Sequence, residues 1–217
     1  MRSTEFANGE YYHIFNRGVD KRDIFLDDYD YFRFLKSMRE FNRKEQIGSL
    51  YCLSKKPQPK PLRAFRRPLG ASVENKLVEF IAYCLNPNHY HFIVRQLVEG
   101  GISKFMMKLG SGYTHYFNQK YDRSGSLLQG TFKAKYITSD AYLLWASVYV
   151  NANAEIHNPN QKAKQYKWCS CPDYLGQRNG TLCEKSVILG QFNDVDDYEQ
   201  YIRESLPLIK ENKESWD

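Results

Sequence analysis

The stretch that decides the reading is "CLNPNHYHFIVRQ", residues 84–96. The chain contains five histidines, and two of them, His89 and His91, lie here one residue apart. The apolar run "KLVEFIAYCL" (76–85) precedes them, and an Asn-Pro-Asn turn (86–88) separates the two. Two apolar runs around such a turn predict a hairpin of central strands. In a strand, side chains at i and i+2 share a face. His89 and His91 therefore project together, and Tyr90 projects the other way. Two imidazoles can hold a divalent metal, each through one nitrogen. Two ligands do not complete a site, and the pair alone reads more readily as a polar turn residue followed by a satisfied core histidine.

Outward from the hairpin, "EYYHIFNRG" (10–18) predicts a strand ending in a turn. Residues 26–42 predict a helix, with apolar residues at three- and four-residue steps and Asp27 or Asp28 as cap. Residues 103–121 read as a second helix, interrupted near Gly110 and Gly112. Residues 123–137 read as loop then strand. Residues 139–155 read as a third helix, capped by Ser139 or Asp140. On that helix Tyr149 and Asn153 are four apart and share one face, with roughly 6 Å between their Cβ atoms. A tyrosine hydroxyl can attack a phosphodiester, and an amide oxygen one turn on can complete a metal's coordination. The competing reading makes Tyr149 a core aromatic alongside Tyr142 and Trp145. Asn151 is offset by two residues and turned away from the Tyr149 face.

A hydrophobic share of 42% over 217 residues is enough for a real core. Seventeen tyrosines supply side chains that can both stack and hydrogen-bond. A net charge of +6 favours a polyanionic partner. No apolar run approaches the 18 or so residues of a membrane span, and the N-terminal stretch has no secretory apolar core. The cysteines are odd in number, five, with no CxxC pair, which points to free thiols in a reducing cytoplasm. Residues 54–70 hold four prolines and six Lys/Arg without an acid, and read as a basic loop or arm. After 156 the chain is less regular: "YKWCSCPDYLG" (166–176) reads as a packed loop and 194–206 as a short acidic helix. The alternation of elements predicts an α+β fold, one antiparallel sheet with helices against it.

Four ordered blocks then carry a resemblance: "YYHIFNRGVDKRDIF", "NPNHYHFIV", "GYTHYFNQKYDRSGSLLQGTFKA" and "YVNAN". Together they resemble the REP-associated tyrosine transposases, single-tyrosine HUH endonucleases related to transposases of single-strand insertion sequences. The resemblance runs from about residue 8 to the C-terminus, and the HUH triplet falls on His89, Tyr90 and His91. It implies a ferredoxin-like fold in an HUH domain over 1–156, with a basic insert at about 54–70 and a packed C-terminal extension over 157–217.

The resemblance also implies a divalent ion, Mg or Mn, held by His89, His91 and Asn153, with Tyr149 as the nucleophile. Tyr113, Tyr116 and Tyr121 do not match the nucleophile motif. The implied activity is metal-dependent cleavage and rejoining of single-stranded or hairpin DNA through a 5′-phosphotyrosine intermediate. A tyrosine with a pKa near ~10 needs help to ionise. Arg17, Lys104, Lys133 and Lys135 are candidate phosphate contacts. The expected protein is cytoplasmic and nucleoid-associated, monomeric or homodimeric. The alternatives are a hairpin-binding protein that does not cut, and a relaxase- or replication-initiator-like nickase, for which 217 residues leave no room for a helicase. Where the family usually has Trp and Arg around "QG", Leu128 and Thr131 stand here, and where it has Asn-Pro after its tyrosine helix, "NANAE" (151–155) follows Tyr149 and Val150 with no proline in it.

Overall fold

The hairpin forms as the residues dictate, with β2 (Val78–Asn86) and β3 (His89–Gln96) joined at Pro87 and Asn88. These belong to a computed structural model that describes residues 4–45, 50 and 75–212. The basic stretch 54–70 lies outside the described residues. β1 (Tyr11–Arg17) is followed by α1 (Asp28–Glu40), the hairpin, α2 (Gly101–Lys120) and β4 (Lys133–Ile137). The strands form one antiparallel sheet in the order β2-β3-β1-β4. That β-α-β-β-α-β connectivity is the ferredoxin-like arrangement.

One face of the sheet carries Tyr12, Ile14, Tyr90, Phe92 and Val94, which pack with Phe34 and Met38 of α1 and Phe105 and Leu109 of α2. Tyr90 is thus the core spacer behind the histidine pair, stacked on Phe92 at 4.7 Å between centroids. α2 runs without a break through Gly110 and Gly112, contrary to the interruption its sequence invites. At Gly112 the reason is packing: a Cβ there would lie 2.6 Å from the Phe41 ring.

The other face carries Ile81, Ala82, Cys84 and Ile93. It is covered by α3 (Asp140–Asn151), α4 (Asn153–His157) and α7 (Val195–Glu211), while α5 (Cys171–Tyr174) and α6 (Ser186–Leu189) lie in the chain between α4 and α7. The helix expected over 139–155 is therefore two pieces that meet at Ala152, whose φ of −98° and ψ of 7° leave the helical region. Asp27 and Ser139 are the working N-caps, accepting from the amides of Asp30 and Tyr142. The "YKWCSCPDYLG" segment covers the outer edge of β2: Leu85 donates to the Trp168 carbonyl and Ser170 to that of Tyr83, each at 2.9 Å. Covering an edge in this way satisfies its unpaired backbone groups. The acidic helix continues past 206, through Pro207, to Glu211. Cys84, Cys169, Cys171 and Cys183 are free thiols. Among the described residues no helix is long and apolar enough to cross a membrane.

Candidate active site

The site begins with a bulge. In β2 the register shifts between Phe80 and Ala82, so Ile81 is an extra residue against β3. Val78 and Phe80 face the α1/α2 core, whereas beyond the bulge Cys84 faces the opposite one. Strict alternation from Phe80 would have sent Asn86 to the α1/α2 side. The bulge sends it instead to the face of His89, which it opposes in the β2–β3 register.

Around His89 the hydrogen bonds assign the tautomer. Asn88 donates through Nδ2 to the Lys21 carbonyl at 3.2 Å, which leaves its Oδ1 for His89 Nδ1 at 2.6 Å. That oxygen only accepts, so His89 Nδ1 carries the proton and Nε2 offers a lone pair. His89 Nε2 lies 3.2 Å from Asn153 Oδ1, a second acceptor. The Asn86 amide is set between them, donating to Asn153 Oδ1 at 2.6 Å and to His89 Nε2 at 3.0 Å. Two acceptors converge on one donor, while Asn153 Nδ2 is buried without a hydrogen-bond partner among the described residues.

His91 adds a third nitrogen. Its ring is 5.2 Å from that of His89 between centroids. Its Nδ1 lies 2.8 Å from His13 Nε2, so Nε2 is the ring nitrogen turned away from His13. Both His13 and His91 are fully buried. Burial, then the charge of Lys135, pushes the His13 pKa down to about 3. Burial, then His13 and His89, holds His91 well below the usual histidine value. Both are therefore neutral at physiological pH, the state in which an imidazole can bind a cation. Among the described residues no group of three His, Cys, Asp or Glu could hold a metal. The donor set that fits a divalent cation is His89 Nε2, His91 Nε2 and Asn153 Oδ1, with Asn86 turned aside. Mixed nitrogen and oxygen donors of this kind suit a borderline or hard divalent ion.

Tyr149 lies beside this set, at the last full turn of α3. Its ring meets those of His91 at 5.3 Å and His13 at 5.5 Å, both edge-on. It is also completely buried, so the core reading and the site reading are both true of it. Asn151, by contrast, is held away from the site by Ser170 Oγ at 2.6 Å and the Tyr198 hydroxyl at 2.9 Å.

A cleft of about 800 Å³ opens onto His89 and His91. Arg17, Lys21 and Lys133 line it against a single acid, Asp23. Arg17 is tied to Gln129 across the rim. Lys133 and Lys135 both stand over the Phe15 ring, at 5.5 and 5.6 Å. Lys104 does not join them: it lies in the first turn of α2 and donates to the Lys44 carbonyl at 3.2 Å. His13, Asn86, Asn88 and His157 belong to the site, yet the sequence did not single them out. His157, 4.7 Å from the His89 ring, lines the cleft. His13 sits in a strand that was legible, but its neighbour across the sheet depends on strand order, which local pattern does not carry.

Residues 63–153 match the family model described as "Transposase IS200 like". No curated protein matches the chain. A solved structure of a REP-associated tyrosine transposase bound to a REP hairpin superposes with a TM-score of 0.57 at 13% identity, covering 86% of this chain and 95% of that one. The segment that holds His89, His91, Tyr149 and Asn153 thus carries the sequence pattern of IS200-like transposases, within a fold shared with a REP-associated tyrosine transposase.

Proposed function

We propose that this protein is a metal-dependent endonuclease and strand transferase for single-stranded, hairpin-forming DNA, working through a 5′-phosphotyrosine intermediate. The observation that carries the reading is the convergence of two histidines and an amide oxygen beside one tyrosine, at the foot of a basic cleft. His89, His91 and Asn153 would hold Mg or Mn. Bound there, such an ion supplies charge stabilisation at a non-bridging oxygen of the scissile phosphate. Arg17, Lys21 and Lys133 draw the DNA backbone into the cleft. The Tyr149 oxygen attacks phosphorus, its bond to phosphorus forms as the bond to the 3′ oxygen breaks, and the strand leaves with a 3′-OH. Return attack by a 3′-OH rejoins strands without an external energy source.

One observation favours a second reading. Tyr149 is buried and does not line the cleft, as suits a protein that binds hairpins without cutting them. The two readings part in one experiment. Labelled single-stranded hairpin DNA is incubated with the protein and Mn²⁺, then resolved under denaturing conditions. The transposase reading expects a protein–DNA adduct that disappears in Tyr149→Phe while hairpin binding stays. Binding with no adduct on any hairpin would leave the binding reading standing instead.

A further inference from the structure

We infer that His13 is a positioning residue for His91, holding its Nδ1 so that Nε2 is the nitrogen presented to a cation. The inference rests on the metal reading of His89, His91 and Asn153. Its observations are separate from those that carry that reading.

In the β1–β3 ladder Phe15 stands opposite His91 and His13 opposite Ile93. His13 is therefore the diagonal neighbour of His91 on the same sheet face, within reach of a long or aromatic side chain. The two rings lie nearly parallel, 20° apart with centroids at 5.1 Å, and Phe15 stacks on both. This stacking brings His13 Nε2 and His91 Nδ1 to 2.8 Å in a fully buried setting.

Two neutral imidazoles at that distance share one hydrogen, and its owner decides the chemistry. When His91 Nδ1 donates, His13 Nε2 accepts and His91 Nε2 bears a lone pair. When His13 Nε2 donates, the proton of His91 sits on Nε2 and the ring cannot bind a cation there. Among the described residues His13 Nδ1 has no hydrogen-bond partner in either case, so no hydrogen bond on the far side of His13 selects its tautomer. Cation binding therefore selects the first arrangement, and His13 supplies the acceptor that makes it possible. Outer partners of metal-bound histidines act in this way, and their loss costs about 10- to 100-fold in metal affinity.

The test measures Mn²⁺ affinity of the full-length, DNA-free protein from the free-ion paramagnetic resonance signal. His13→Phe keeps the ring and removes the acceptor. His13→Gln returns an amide to the place of Nε2. The expected result is a 10- to 100-fold weaker Kd for the Phe variant and a Kd within about threefold of the parent for Gln. Equal affinity in the Phe variant, or equal loss in both, overturns the role of His13. Wild type that binds no Mn²⁺, or binds it unchanged after His89→Ala, overturns the metal reading and this inference with it. Should the Phe variant not fold, nitrogen-15 imidazole spectra of Mg²⁺-saturated wild type decide: a proton on His91 Nδ1 is expected, and a proton on His91 Nε2 refutes it.

Discussion

At the scale of single residues, the site concentrates groups whose natural charge the fold suppresses. His13 and His91 are neutral inside the protein and would protonate near ~6.5 in the unfolded chain. The unfolded state then binds more protons below that pH, so stability rises with pH across the window between the two values. His13, held near 3, should cost about 2 kcal/mol of folding stability between pH 7 and pH 5, and His91 adds a cost of the same sign. Urea melts of metal-free protein at the two pH values measure it. His13→Phe should remove the His13 share, about 2 kcal/mol, of this dependence. A stability that does not change over this interval would mean that the histidines are not held neutral.

Asn86 shows why part of the site escapes a reading of the sequence. His89 and His91 are recognisable because their spacing is local, and the Tyr149–Asn153 pair because four residues make one helical turn. Asn86 looks like the first residue of an Asn-Pro-Asn turn. Its role comes from the bulge at Ile81, and a mostly apolar run such as 76–85 gives no sign of where a bulge falls.

At the scale of elements, the caps and turns followed local rules closely. Asp27 and Ser139 satisfy the first-turn amides of α1 and α3 as their residue types favour. Ser139→Ala should cost about 1 kcal/mol of stability and leave Mn²⁺ affinity unchanged, because the cap lies two turns and more from Tyr149. Thermal melts and a metal titration check both halves. A large loss of affinity would mean that the whole of α3 is coupled to the metal site. The break at Ala152 is the departure that matters most for function. It separates the element carrying Tyr149 from the one carrying Asn153. Helical periodicity across 139–155 is unbroken in composition, so only packing against α7 and the sheet reveals it.

At the scale of the whole molecule, the C-terminal residues complete the site from behind. Tyr198 of α7 is fully buried, and its hydroxyl meets Ser147 Oγ at 3.1 Å and Asn151 Nδ2 at 2.9 Å. Both partners flank Tyr149 on α3. Tyr198→Phe would leave the Asn151 amide a buried donor short of an acceptor, at a cost of about 1–3 kcal/mol. For a domain of this size the melting temperature should fall by roughly 2–4 °C per kcal/mol. An unchanged melting temperature would show that α7 does not brace the tyrosine helix.

The ferredoxin-like sheet was foreseeable from the resemblance and the alternating elements. The sheet order that sets His13 against His91 emerged only from the assembled fold.

Tyr149 is expected to form the covalent bond to DNA, although it is buried among His13, His91 and the core. Trapping the adduct on a hairpin substrate with Mn²⁺, digesting both protein and DNA, and locating the nucleotide-bearing peptide by mass spectrometry tests it directly. The added mass is expected on Tyr149. The same mass on Tyr113, Tyr116 or Tyr121 would contradict it.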